Sequence, residues 1–315
     1  MASYSLSNSN EQTLSPDEAA RRAAVRRWRS EVYESLLLAD MDEEAMLWES
    51  CCSTAKVEYE NTPGELHEDV SGYWVCPDHR DHGAVVTWNT CDLRYCPTCA
   101  RRHAARLVHQ YAPVAERLIK QNLAGYRLRK IVLTTSIAVD DPQAKAAYES
   151  GFDAVRKTLD MALNYDWKLS EGETGDWIQQ NPGKPRFWHK KGGAIAVSEF
   201  GETGHKLHYH LLAYVPFINQ RLLSYLWSLN SPNGESVVYV SDATRFYDDP
   251  KTAVRETLKY AAKFFKKDQH GNWRGIEPRL IPVLADILKG SRRVRSWGAF
   301  YGCEKPEREP QKYKH

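Results

Sequence analysis

The sequence predicts an α+β fold built on a largely antiparallel sheet with flanking helices, and three observations carry that prediction. Two apolar, β-branched stretches, Gly193–Phe200 and Lys206–Val215, are separated only by the five residues GETGH, which is a hairpin signal. Helical stretches fall between strands irregularly instead of alternating with them one for one, which argues against a parallel α/β sheet. Ahead of the sheet region, Cys76, Cys91, Cys96 and Cys99 lie within 24 residues, a spacing suited to a small metal-bound subdomain.

Taken in chain order, residues 1–15 are rich in Ser and Asn and are expected to be disordered. Ser15, Pro16, Asp17 and Glu18 read as a helix cap with proline in the first turn, opening a helix through Arg21, Arg22, Trp28 and Val32 to about residue 38. A second helix is expected near 43–51. Residues 61–69 hold Pro63, Gly64 and three acids and read as a linker. A helix over 100–121 follows the cysteines, and 130–137 (KIVLTTSI) reads as a strand because of its β-branched residues. The remaining expected elements are a helix at 142–164, the hairpin, a helix at 219–229, a strand at 236–241, helices at 250–267 and 281–289, and a closing strand at 293–301. The organisation that results is an acidic N-terminal segment (1–70), a zinc-binding subdomain (71–125), a catalytic-type α+β domain (126–303) and a charged tail (304–315).

Composition narrows the function classes. The chain of 315 residues is 42% apolar with a mean hydropathy of −0.61, and its longest apolar run, 211–218, is interrupted by Pro216 and too short for a bilayer. No membrane association is expected. The start of the chain lacks the basic flank and apolar stretch of a signal peptide, so a cytoplasmic location is expected. Formal net charge is only +2, but its distribution is uneven. Residues 1–75 carry 6 Lys/Arg against 15 Asp/Glu, residues 76–135 carry 10 against 4, and residues 251–295 carry 12 against 4. Segregated basic blocks fit a polyanionic partner such as nucleic acid, with a solvated charged surface as the plainer alternative.

Three groups of residues point to chemistry. His208 and His210 alternate with Leu207, Tyr209 and Leu211 in one strand, so the two imidazoles share a face and form a clamp for a divalent ion. Glu199, at the end of the preceding strand, is the expected third ligand, with Glu202 and His205 in the turn as rivals. Glu256, Tyr260 and Lys263 fall within about 60° of one another on a helix and make one surface, unless Tyr260 simply packs there and Glu256 pairs with Lys259. Cys91, Cys96 and Cys99, with Cys76 upstream, supply the four thiolates of a structural zinc site, His79, His82 and His103 being possible substitutes. Cys51, Cys52 and Cys303 are set aside as bystanders.

The order of these groups carries further weight. A Cys-x4-Cys-Pro-x-Cys-x-Arg-Arg segment is followed by the strand IVLTTS, a hairpin bearing Glu199 and HYH, Glu-x-x-x-Tyr-x-x-Lys, and a closing GSRRVRSWGAFYG. Over about residues 90–303 this series resembles the single-tyrosine rolling-circle plasmid replication initiators of the HUH endonuclease superfamily. The resemblance implies an HUH-type domain in which His208 and His210 hold Mg²⁺ or Mn²⁺. It further implies that Tyr260 nicks one DNA strand, that Glu256 activates water at termination and that Lys263 assists the tyrosine. Glu199 as third ligand is a looser transfer. The implied product is a 5′-phosphotyrosyl protein and a free 3′-hydroxyl primer, and the implied partners are single-stranded and hairpin DNA at a replication origin, with a host helicase and polymerase behind them. Arg94, Arg101, Arg102, Lys259, Lys266, Lys267, Arg292, Arg293 and Arg295 are the candidate phosphate contacts. Trp273 and Trp297 are read as packing residues in preference to base-stacking ones. A rolling-circle transposase shares the same motifs, and a non-enzymatic zinc-dependent DNA-binding regulator is the rival of a different class.

Overall fold

The computed structural model describes residues 15–51, 55–59, 67–68, 74–75, 84–88, 91–170, 177–180, 188–201, 205–245, 247, 249–262, 265–267 and 270–303. Two helices come first, α1 (Pro16–Leu37) and α2 (Asp42–Ser50), then the short strands β1 (Ala55–Tyr59), β2 (His67–Glu68), β3 (Trp74–Val75) and β4 (Ala84–Trp88). There follow α3 (Pro97–Gln121), β5 (Arg127–Ala138), α4 (Ala144–Asn164), β6 (Trp167–Leu169), β7 (Trp177–Gln179), β8 (Gly193–Phe200), β9 (Lys206–Val215), α5 (Gln220–Asn230) and β10 (Val238–Asp242). The last elements are α6 (Pro250–Leu258), β11 (Phe265–Lys267), β12 (Trp273–Gly275), α7 (Ile281–Leu288) and β13 (Val294–Gly298). The fold is thus α+β, as expected.

Five strands form the central sheet in the order β10-β5-β9-β8-β13, with every neighbouring pair antiparallel. The hairpin β8–β9 has the predicted limits, because alternation and the glycine-bearing turn mark both ends. Alternation along β9 gives the sheet two different faces. Leu207, Tyr209, Leu211 and Ala213 join Ile131 and Leu133 of β5 in a core completed by Tyr148, Phe152, Val155 and Leu159 of α4 and Leu223 and Trp227 of α5. Full burial of each aliphatic residue here contributes about 1.5–3 kcal/mol. On the other face, Leu212, Tyr214, Ile195 and Val197 pack under α3 (Val108, Tyr111, Ala115) and α6 (Val254, Leu258). His208 and His210 lie on this second face by the same alternation.

Gly151 lets α4 approach the sheet closely. A Cβ there would stand 1.6 Å from the hydroxyl of Tyr209, which donates to the Ala147 carbonyl at 3.3 Å.

The N-terminal helices dock on this body. Ser15 caps α1 by accepting from the Glu18 amide at 3.3 Å, and Trp28, Val32 and Leu36, four residues apart, form its buried stripe. Trp28 donates its indole N–H to the Ile276 carbonyl at 2.7 Å, beyond β12. Arg29 donates to the carbonyls of Trp48 (2.6 Å) and Cys51 (3.2 Å), satisfying the C-terminal end of α2. No helix among the described residues is long and apolar enough to cross a membrane.

One predicted helix is shorter than expected. The helix expected over 250–267 ends at Leu258 and tightens into a 3-10 turn, Lys259–Ala262, before β11. Arg293 explains the stop: its guanidinium takes up the carbonyls of Tyr260 (3.1 Å) and Ala261 (2.5 Å), acceptors that a longer helix would use internally.

Candidate metal centre and tyrosine site

The buried thiols of Cys51, Cys91, Cys96 and Cys99 form one cluster, all four Sγ atoms within 4.8 Å of each other. Cys51 lies 3.7 Å from Cys96 and 3.5 Å from Cys99, and Cys91 lies 3.5 Å from Cys99. Four sulfurs at about 2.3 Å from a tetrahedral Zn²⁺ stand about 3.8 Å apart, so the cluster has the dimensions of a four-thiolate site, whereas a disulfide needs about 2.05 Å. The four residues fit zinc or a similar thiophilic ion.

The local sequence explains the convergence. Cys96 occupies the N-cap of α3 and Pro97 its first position, which brings Cys99 onto the first turn beside Cys96, at the end of the helix where the dipole favours thiolates. Asp92, at φ 49°, turns the chain from Cys91 into this helix. Cys51 is the C-cap of α2. Trp48, one turn earlier, stacks on Tyr95 at 5.6 Å and holds the α2 end against the segment leading to Cys96. Hydrogen bonds from Cys91, Cys96 and Cys99 pull the Cys51 thiol below its ordinary range, while those contacts and burial push Cys91 and Cys96 up.

The ligand set therefore differs from the sequence expectation. Cys51, set aside as a bystander, takes the corner assigned to Cys76, because α1 and α2 fold back and deliver it from 40 residues upstream of Cys91. Cys76, His79, His82 and Cys52 lie outside the described residues, and His103 is exposed on α3.

The second cluster sits on the sheet. β8 and β9 pair Glu199 opposite His208, and β5 and β9 pair Thr134 opposite His208 and Val132 opposite His210. Glu199 is 5% exposed, and its Oε2 lies 2.8 Å from Nε2 of His210, itself 9% exposed. The imidazole of His210 stacks on the phenol of Tyr260, with ring centroids 3.6 Å apart and planes 2° from parallel. His208 stands at 6.3 Å from His210, ring to ring, and its Nδ1 is 2.9 Å from Thr134 Oγ1. Gly201 gives the His208 ring its place, since a Cβ there would lie 2.5 Å from Cδ2 and Nε2.

This arrangement suits a hard divalent ion in part. Two ligands at about 2.1 Å and right angles are about 3 Å apart, close to the Glu199–His210 separation. His208 nevertheless lies farther off, and among the described residues only the cysteine group gathers three or more ligand atoms so tightly. Of the rival third ligands, His205 is in the left-handed region at φ 47° in the turn and Glu202 lies outside the described residues.

The other expected site residues divide into several groups. Glu256 is ion-paired with Lys259, whose ammonium lies 5.7 Å from the Tyr260 ring centroid. Lys263 is outside the described residues, as are the side chains of Lys266, Lys267 and Trp273. Arg94, Arg102 and Arg292 are exposed, as is Arg101, which donates to the Pro97 carbonyl at 3.1 Å. One of the expected phosphate contacts, Arg293, is buried, and a second, Arg295, is engaged within the fold. Arg293 is 6% exposed and serves as a strap, donating to Ser198 (3.3 Å) on β8 as well as to Tyr260 and Ala261, so it joins the tyrosine turn to the sheet. Arg295 faces α4, where it pairs with Asp153 at 3.1 Å and lies over Phe152, because alternation along β13 turns it away from the histidine face. Trp297 packs against the core. Sequence reasoning missed Lys130, whose ammonium is 5.7 Å from the Tyr260 ring, and Thr134. Alternation places both on one face of β5, but the pairing of β5 with β9 that brings them to the histidines is not written in either segment.

Comparison of the chain with protein-family models, with curated proteins and with solved structures finds no match.

Proposed function

We propose that this chain is a metal-dependent enzyme of the HUH class that nicks and rejoins single-stranded DNA through Tyr260, acting as a rolling-circle replication initiator. One observation carries the reading: a tyrosine from the α6 turn lies flat on an imidazole that is hydrogen-bonded to a buried carboxylate, with a second histidine on the same strand face. A tyrosine meant only to fill space has no need of Glu199 and two histidines around it, and the buried carboxylate is satisfied by His210.

The residues divide the reaction as follows. The Tyr260 phenol attacks the scissile phosphorus. The new Oη–P bond replaces the P–O3′ bond, the phenol loses its proton, and the departing 3′ oxygen gains one. The products are a 5′-phosphotyrosyl protein and a 3′-hydroxyl that primes synthesis. His208, His210 and Glu199 would hold Mg²⁺ or Mn²⁺, which would supply Lewis acidity to the reaction. Lys130 and Lys259, each with its ammonium 5.7 Å from the Tyr260 ring centroid, stabilise the negative charge gathered at phosphorus. Glu256, once released from Lys259, would activate water for release of the protein. Cys51, Cys91, Cys96 and Cys99 would hold zinc at the start of α3, the helix that packs along α6 just before Tyr260.

The test uses the two ends of the DNA. Single strands carrying the origin, labelled at either end, are incubated with the zinc-loaded chain and Mn²⁺. The 3′-end label is expected to move onto the protein in an SDS-stable form, and the 5′-end label to stay on a shortened free strand. DNA binding with neither event, from folded protein, favours the non-enzymatic regulator instead.

A further inference from the structure

We infer that the open end of the histidine face, where β10 and β5 meet, is a base-stacking ledge for the single strand, with Tyr239 and Val237 as its platform and Lys130 as its phosphate contact. The inference rests on the nicking function proposed above and specifies how the substrate beside the scissile bond is held.

Register places the ledge. Residues directly opposite in an antiparallel sheet point to the same face. Tyr239 is opposite Val132, Val132 opposite His210, and His210 opposite Val197, so one row runs from Tyr239 straight into the site. The neighbouring row runs Thr134, His208, Glu199, and the Val237 carbonyl accepts from the Thr134 amide at 3.0 Å, which puts Val237 at its outer end. With strands about 4.8 Å apart, Tyr239 is only about 10 Å from His210 across the sheet.

The helices α3 and α6 cover this face over β9 and β8 but stop short of the ledge. Tyr239 is 51% and Val237 55% exposed, while Val197 and Glu199, at the far ends of the same two rows, are buried. An apolar ring and a branched aliphatic side chain are thus left open beside a polar site.

The charge around the ledge selects its occupant. Lys130 occupies the next position along the β5 face, opposite Ser241, with its ammonium already beside Tyr260. Arg127 and Arg245 lie exposed at the same end of the sheet. An aromatic platform beside cations is how proteins hold single-stranded nucleic acid without reading its sequence, because every base has a π-face. The continuity of the rows then orders the contacts: a phosphate at Tyr260 and His210, and a neighbouring base on Tyr239.

The experiment uses the full zinc-loaded chain and a fluorescein-labelled single strand. Replacing Tyr239→Ala is expected to weaken binding roughly tenfold, and Tyr239→Phe, which keeps the ring, to change it less than about twofold. A strand carrying 5-iododeoxyuridine is expected to crosslink within residues 237–239. Equal affinity of Tyr239→Ala and wild type, with crosslinks confined to other segments, overturns the ledge. So does a dimer formed through this edge that Tyr239→Ala disrupts without changing DNA affinity. The two levels separate cleanly: if wild type forms no Tyr260 adduct, the nicking function fails and the ledge with it, whereas an adduct with unchanged Tyr239→Ala affinity removes the ledge alone.

Discussion

The imidazole of His210 and the phenol of Tyr260 lie parallel at 3.6 Å, joining a β-strand residue to a residue from a turn 50 positions later. The strand side of this pair is fixed by Glu199, and the turn side by Arg293, which spans from Ser198 on the sheet to Tyr260 and Ala261. The stack is therefore held from both sides. Tyr260→Phe keeps the ring and removes only the nucleophilic oxygen. Its adduct formation is expected to vanish while its melting temperature stays within about 2 °C of wild type; calorimetry beside the adduct assay checks both.

Arg293 tests how the turn is held. Arg293→Met leaves buried carbonyls without a donor, at about 1–3 kcal/mol for each such acceptor, and lets the tyrosine turn drift from the sheet. Arg293→Lys keeps the charge but cannot span three acceptors, so it is expected to rescue little. Denaturant titration should show a loss of at least about 2 kcal/mol for either variant. A neutral effect would mean that the turn stands without the strap.

Gly201 tests the seat of His208. A methyl group there would fall 2.5 Å from the imidazole and push it out of place. Gly201→Ala is expected to weaken Mn²⁺ binding at the histidine site by roughly tenfold, with zinc content unchanged. Electron paramagnetic resonance of bound Mn²⁺ reads the first quantity and elemental analysis the second.

The cysteine set gives two outcomes of opposite sign. Cys51→Ser removes one of four clustered thiols and is expected to lower zinc affinity by more than about 100-fold, beyond what loss of an outer-shell partner costs. Cys76→Ser is expected to leave one zinc per chain. Measured zinc stoichiometry after dialysis against a weak chelator distinguishes the two.

Zinc binding has a predictable pH dependence. Hydrogen bonds donated to Cys51, together with burial, push the Cys91 and Cys96 thiols up, so loading the metal must expel protons. Bound as thiolates, the same groups titrate far below their unfolded value of about 8.5, so the stability they contribute is present above that value and is lost as pH falls and protons displace the metal. Apparent zinc affinity should climb with pH by more than tenfold per unit in the acid range, and a flat profile would contradict a four-thiolate site.

The parts of the fold that were legible were those whose signal is local. The Ser15-Pro16 cap, the β8–β9 hairpin and the placing of His208 and His210 on one face all follow from neighbours in sequence. The illegible parts depend on distant partners. Cys51 was hidden because spacing links cysteines that are close in sequence, whereas Arg29 and Trp48 fix the end of α2 against the Cys96 segment. The early end of α6 was hidden because its competing donor, Arg293, lies 33 residues beyond Tyr260. Arg293 itself read as a surface charge because nothing in its own segment shows that it will be buried.

The proposed nicking reaction attaches Tyr260 covalently to DNA. Intact-protein mass spectrometry of the zinc-loaded chain, after incubation with single-stranded origin DNA and Mn²⁺, tests it directly. A mass increase equal to the 3′ fragment of the strand is expected, mapped to Tyr260 and missing in Tyr260→Phe. An unchanged protein mass with folded, zinc-loaded wild type, or an adduct that persists in Tyr260→Phe, would contradict it.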